Sequence, residues 1–329
     1  MENELKIAEE WDKVFPKSDK VNHKKINFKN HFGITIVADL YEPKEYKGKL
    51  PALAVSGPYG AVKEQSSGLY AQEMAERGFL TIAFDPSYTG ESGGEPRYMT
   101  AADINIEDFQ SAIDFLITNE KVDSEKIGII GICGWGGMAL QTACIDTRVK
   151  ATIVSTMYDM SRVAGNGYFD EQDNEDARYN QRVAINNQRT KDARNGNYKL
   201  QGGVAETIPE EAPQFLKDYH AYYKTQRGYH PRSLNSNNGW AVQSNTSLMN
   251  SRILHYSNEI RSAVMIVHGE KAHSCYMGKD AFNNMIKNSN YTNNKELVIV
   301  PGASHCDLYD QKDIIPFDKI EEFLKNNLN

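Results

Sequence analysis

Apolar residues along the chain gather into short runs of about five. Longer stretches separate the runs, and their apolar positions recur three and four apart. This rhythm predicts buried strands alternating with amphipathic helices, the signature of a mostly parallel sheet. Segments 23–28 and 34–41 alternate or carry β-branched residues around His31-Phe32-Gly33, which predicts an antiparallel pair at the start. Further strands are expected at 52–56, 79–84, 126–132, 151–155, 264–267 and 295–300. Between them, 64–77 carries Leu69, Tyr70 and Met74 before a stop at Gly78, and 103–119 carries Ile106, Phe109, Ile113 and Leu116 on one helical face. A last helix is expected over 317–328.

From 160 to 258 the alternation stops, and Asn, Gln, Arg and Tyr replace the apolar runs that a sheet core needs. We read this stretch as a helical cap inserted after the sixth strand of a sheet of about eight strands flanked by helices. The chain then divides into a first part of the core (1–159), the cap (160–258) and a second part of the core (259–329).

Composition narrows the function. The 329 residues are 40% hydrophobic, enough for one sizeable core. A net charge of -7 with no basic stripe argues against nucleic-acid or acidic-membrane partners. The start, Met1-Glu2-Asn3-Glu4-Leu5-Lys6, lacks a signal core, and no apolar stretch is long enough to span a bilayer, so a cytoplasmic location is expected. Cysteines 133, 144, 275 and 306 have neither CxxC spacing nor a disulfide framework, so no metal is expected. There is no Walker loop or GxGxxG, hence no nucleotide cofactor is expected. Oligomeric state is open, a homo-oligomer included.

The candidate chemistry begins at Gly131-Ile132-Cys133-Gly134-Trp135-Gly136-Gly137, which lies between the run Ile127-Gly128-Ile129-Ile130 and Met138-Ala139-Leu140. A buried strand turning sharply into a helix with a cysteine at the bend is the layout of a nucleophile elbow. The helix N-terminus favours negative charge and is expected to lower the thiol pKa. The bland alternative is a buried structural cysteine. His305 follows the strand 295–300 and the Pro301-Gly302 break, which puts it at the same sheet edge as Cys133, and its near-neutral pKa suits a proton shuttle. The strand 52–56 ends in Gly57-Pro58-Tyr59-Gly60. A loop here supplies one oxyanion N–H and the residue after the nucleophile another, which makes Tyr59 and Gly134 the candidates, since Pro58 has no N–H. His268 reads as strand-end packing, and Asp85 as a structural turn carboxylate.

In this order the segments resemble the α/β-hydrolase superfamily, specifically a dienelactone-hydrolase-like, polyketide-transferase-like group with a cysteine nucleophile. The carriers are residues 57–65, Phe84-Asp85-Pro86-Ser87-Tyr88-Thr89-Gly90-Glu91-Ser92, the Cys133 elbow, His268-Gly269-Glu270-Lys271-Ala272-His273-Ser274 and Gly302-Ala303-Ser304-His305. The resemblance implies the α/β-hydrolase fold, with Cys133 as nucleophile, His305 as base, and Tyr59 and Gly134 as oxyanion donors. Two features depart from it. Trp135 stands where the elbow wants a small side chain, and the positions that carry the orienting acid in relatives hold Ala272 and His273. Glu270 is then the first choice for that acid and Asp159 the second, and a cysteine–histidine dyad without an acid is the third reading.

Tyr219, Tyr222, Tyr223, Tyr229 and Trp240 of the cap, with Trp135, are candidates for substrate contact or, alternatively, for packing between cap and body. The leading function is acyl transfer on a small-molecule ester, lactone or thioester. An acyltransferase with a non-water acceptor and an inert binding protein on a hydrolase scaffold are the alternatives. A small anionic substrate would need an arginine in the pocket, with Arg97, Arg162, Arg227 and Arg232 available.

Overall fold

A strand that is apolar on both faces must be covered on both faces, and this places every apolar run of the chain in one sandwiched sheet. The computed structural model describes residues 5–328. The strands are β1 (Val21–Lys29), β2 (Thr35–Pro43), β3 (Leu50–Ser56), β4 (Leu80–Phe84), β5 (Val122–Ile132), β6 (Val149–Ser155), β7 (Leu200–Gly202), β8 (Gly239–Ala241), β9 (Ala263–Gly269) and β10 (Lys295–Val300). Eight of them form the central sheet in the order β1-β2-β4-β3-β5-β6-β9-β10, while β7 and β8 pair separately. β1 pairs antiparallel with β2, and β2 antiparallel with β4; from β4 to β10 all pairings are parallel. The mostly parallel sheet with flanking helices is the expected α/β-hydrolase architecture.

Successive side chains of each strand go to opposite layers. Leu53, Val55, Ile130 and Ile132 join the cluster built with α1 (Ser66–Glu76), whereas Ala52, Ala54, Ile127 and Ile129 join the cluster built with α2 (Ala102–Ile117) and α3 (Gly134–Ile145). The anticipated stripe of Ile106, Phe109, Ile113 and Leu116 is the buried face of α2.

Between β6 and β9 the chain forms α4 (Met160–Asn166), α5 (Glu175–Asn195), α6 (Gln214–Tyr223) and α7 (Ser244–Asn250). Irregular turns join these helices, and the segment also holds the β7–β8 ribbon, which the sequence did not signal because its strands are three residues each. α5 starts at Asn174, whose side chain accepts from the Ala177 N–H, and stops at Gly196 in the left-handed conformation. α8 (Cys275–Ile286) follows β9, and α9 (Asp307–Asp310) and α10 (Phe317–Asn327) close the chain. No helix among the described residues is long and apolar enough to cross a membrane.

Candidate active site

Cys133 follows β5 directly and caps the N-terminus of α3, with φ 57° and ψ -125°. A side chain bearing residue adopts such a conformation only where its surroundings impose it. The Cys133 N–H donates to Ser155 O at 2.9 Å, and its carbonyl accepts from the Gly136 and Tyr158 N–H groups. The bend is tight: a side chain at Gly131 would come within 2.2 Å of the Trp135 carbonyl oxygen.

The groups facing the Cys133 sulfur are the Tyr309 hydroxyl and the backbone N–H groups of Gly134 and Tyr59. The N–H groups of Tyr59 and Gly134 thus both act on the Cys133 sulfur and favour negative charge there. Burial nevertheless outweighs all three and pushes the thiol pKa up, against the lowering expected from a helix N-terminus. The resting sulfur is a thiol.

The Tyr59 loop is held from two sides. Asn235 of the insertion donates its side-chain amide to Tyr59 O at 2.6 Å, and its backbone N–H donates to Gly60 O at 3.0 Å. Beneath the loop, Lys63 is fully buried and its ammonium donates to Glu64 at 2.6 Å, Asp85 at 2.8 Å and Glu91 at 2.6 Å. Asp85 also accepts the Lys63 N–H at 2.8 Å, so the turn carboxylate is a hub of this network.

His305, on the loop between β10 and α9, is buried, and burial with His273 and His268 nearby holds its pKa well below the usual range. Its imidazole is neutral at neutral pH. Nδ1 meets the Ser274 hydroxyl at 2.6 Å and the Thr156 hydroxyl at 3.0 Å, and Nε2 lies 3.0 Å from the Tyr309 hydroxyl. Neither carboxylate expected to orient it does so. Glu270 turns outward and accepts the Gly302 N–H at 2.8 Å. Asp159 caps α4, accepting from the Arg162 N–H at 3.0 Å and the Ser161 hydroxyl at 2.6 Å. A carboxylate at the first position of a helix is better satisfied by the free N–H groups of that helix than by a buried neutral imidazole. His268 packs at its strand end, with Nε2 3.2 Å from Met157 O.

A cavity of about 500 Å³ opens over Cys133. The segment between β6 and β9 contributes Tyr219, Tyr223 and Trp240 with Tyr168 and Phe215, and Tyr309 comes from α9. Tyr222 does not line it but packs behind, against Tyr223 and Tyr309. Trp135 also turns away, into the layer between sheet and α2, edge-on to Phe84 and Phe109. Tyr229 is exposed. No charged side chain lines the cavity among the described residues. Arg97 serves carbonyls of its own loop, Arg162 pairs with Asp170 and Asp280, Arg227 with Asp310, and Arg232 with Asp12 and Glu64.

Sequence reasoning missed Ser274, Thr156 and Tyr309. Only Tyr309 left a signal, since it stands four residues after His305, one helical turn away.

The chain is 53% identical over 99% of its length to the uncharacterised protein PA2218 of Pseudomonas aeruginosa, covering 86% of that protein. The crystal structure of PA2218 superposes with a TM-score of 0.94 and covers 99% of both chains. The uncharacterised Escherichia coli protein YcjY is 33% identical over 88% of this chain and 93% of its own. The α/β hydrolase GrgF of a Penicillium species, a polyketide transferase by name, is 30% identical over 43% of this chain and 45% of its own. Its structure shares the fold at a TM-score of 0.74, 21% identity and coverage of 93% of this chain and 99% of that one. Residues 33–306 match the X-Pro dipeptidyl-peptidase (S15) family. The chain belongs to that family, as an α/β-hydrolase-type hydrolase.

Proposed function

We propose that the protein is an acyl-transfer hydrolase whose Cys133 thiol attacks the carbonyl of an uncharged ester, lactone or thioester. The observation that carries this reading is the meeting of the Tyr59 and Gly134 N–H groups at the sulfur of a cysteine held in a strained bend. In the proposed reaction the carbonyl oxygen takes up negative charge between those two donors, His305 accepts the thiol proton, and the acyl group is left on sulfur. His305 then returns the proton to the leaving group, and water releases the acid. Ser274 and Thr156 orient the imidazole without a carboxylate. That suffices for a thiol, which gives up its proton more readily than a hydroxyl.

The lining of the cavity bears on the substrate. Recognition of a free peptide N-terminus, as the family name suggests, calls for a carboxylate, and recognition of a small anion calls for an arginine; neither lines the cavity among the described residues. Aromatic rings and Val163, Val204 and Ile208 favour a flat apolar acyl group instead. The buried Trp240 Nε1 has no hydrogen-bond partner among the described residues and would suit an acceptor on that group.

Intact-mass labelling with limiting iodoacetamide tests the nucleophile, alongside hydrolysis of neutral aryl-acyl thioesters. The expected result is one label that disappears in Cys133→Ala, slower labelling in His305→Ala, and thioester turnover lost in Cys133→Ala. Labelling of Cys133 no faster than that of the half-buried Cys144, with turnover intact in Cys133→Ala, would refute the proposal.

A further inference from the structure

His305 has no nitrogen left for the thiol. Hydroxyls of Ser274 and Thr156 occupy Nδ1, and the Tyr309 hydroxyl occupies Nε2 at 3.0 Å. Tyr309 lines the same cavity as Cys133, and its hydroxyl is the one side-chain group among the described residues that acts on the Cys133 sulfur, so it is placed between cysteine and histidine. Tyr309 lies on α9 one turn after His305 and is fully buried, with Tyr222 and Tyr223 packed against its ring at centroid distances of 5.0 and 6.2 Å. That packing keeps the hydroxyl in place.

A hydroxyl between a thiol and an imidazole either blocks proton transfer or carries it. With the Nδ1 hydrogen donated to one of its two hydroxyl neighbours, the Nε2 lone pair is free to accept from Tyr309. The Tyr309 oxygen in turn is free to accept from the Cys133 S–H. Burial disfavours the phenolate, so the hydroxyl passes a proton on without storing charge.

We propose that Tyr309 is a catalytic residue of this site, relaying the Cys133 thiol proton to Nε2 of His305, 3.0 Å from its hydroxyl. This rests on the reading of Cys133 as nucleophile. As the S–C bond forms, the thiol proton moves to the Tyr309 oxygen and the Tyr309 hydroxyl proton moves to Nε2. The carbonyl π pair goes to the oxygen facing Tyr59 and Gly134. Collapse of the tetrahedral adduct breaks the bond to the leaving group, which takes a proton back along the same path. Tyrosine and imidazole end as they began, and no oxidant or reductant takes part.

The test compares wild type, Tyr309→Phe, His305→Ala and the double variant for Cys133 alkylation by iodoacetamide and for kcat/KM on a neutral thioester, with thermal unfolding as a control for the fold. A relay predicts that Tyr309→Phe slows both by about a hundredfold, matching His305→Ala, and that the double variant is no slower than either single one. Alkylation at or above the wild-type rate in Tyr309→Phe would mean that the hydroxyl only blocks, and would overturn the relay. A second probe keeps the ring and the hydroxyl: 3,5-difluorotyrosine at position 309 makes the phenol more acidic. Because the relay keeps Tyr309 neutral, the alkylation rate at fixed pH should change with it, and a rate equal to that of the wild type also overturns the relay. The two readings separate cleanly. Sensitivity to His305→Ala without sensitivity at Tyr309 removes the relay alone, whereas indifference to His305→Ala together with an ordinary thiol at Cys133 removes the nucleophile and the relay with it.

Discussion

Trp135 shows what a single residue can hide. From the sequence it crowds the elbow; in the structure its ring leaves the cavity and packs edge-on to Phe84 and Phe109, with centroids 5.7 and 5.4 Å away. Room for its backbone comes from another loop. A side chain at Gly57 would come within 2.2 Å of the Ile132 carbonyl oxygen and 2.9 Å of the Trp135 Cβ, and Gly57 has φ 108°. Gly57→Ala should therefore lower stability by about 2 kcal/mol and weaken turnover by displacing the Tyr59 N–H, to be checked by urea unfolding and thioester hydrolysis. An unchanged urea midpoint would show that the loop yields freely. At this scale, the gathering of Cys133, His305, Tyr59 and Gly134 at one sheet edge was legible because their loops follow strands, and strand ends of a parallel sheet share an edge. Glu270 and Asp159 were misread because the direction of a loop carboxylate is set by the nearest free N–H groups, which only the folded loop supplies.

At the scale of elements, buried charges join pieces that are distant in sequence. Lys63 below the oxyanion loop meets Asp85 and Glu91 of the loop after β4; Arg232 of the insertion meets Glu64 and Asp12; and Lys25 of β1 meets Glu91. Removing the central cation leaves its carboxylates buried with fewer partners, which is far more costly than never burying them. Lys63→Met should lose about 3 kcal/mol, seen as a lower melting temperature, with turnover falling because the Tyr59 loop loses its floor. An unaltered melting temperature would mean that Lys25 and Arg232 neutralise the carboxylates unaided. The βα alternation was legible from apolar runs, and α2 from its stripe. The network was not, since Lys63-Glu64 reads locally as a solvated pair, and the β7–β8 ribbon was too short to show a period.

For the whole molecule, the buried histidines set the response to acid. Burial lowers His268 and His273 to about 4, and holds His305 well below the ordinary value. Below pH of about 6.5 the unfolded chain binds protons that the folded one refuses, so stability is full above that value and falls as pH drops toward 4. Each such group contributes a slope of about 1.4 kcal/mol per pH unit, and two carboxyls raised by burial, Asp108 to about 6 and Asp85, oppose them. Urea midpoints measured down this range should decline; a flat profile would show that the three rings are protonated as easily folded as unfolded. The sheet, its layers and the edge where the candidate chemistry gathers are written in the apolar runs, because hydrophobic periodicity is a local property that burial obeys. What His305 touches, the placing of Tyr309 beside it at the cavity of Cys133, and the uncharged lining among the described residues came from the folded chain. Those outcomes depend on side-chain directions, and packing among elements far apart in the chain sets them.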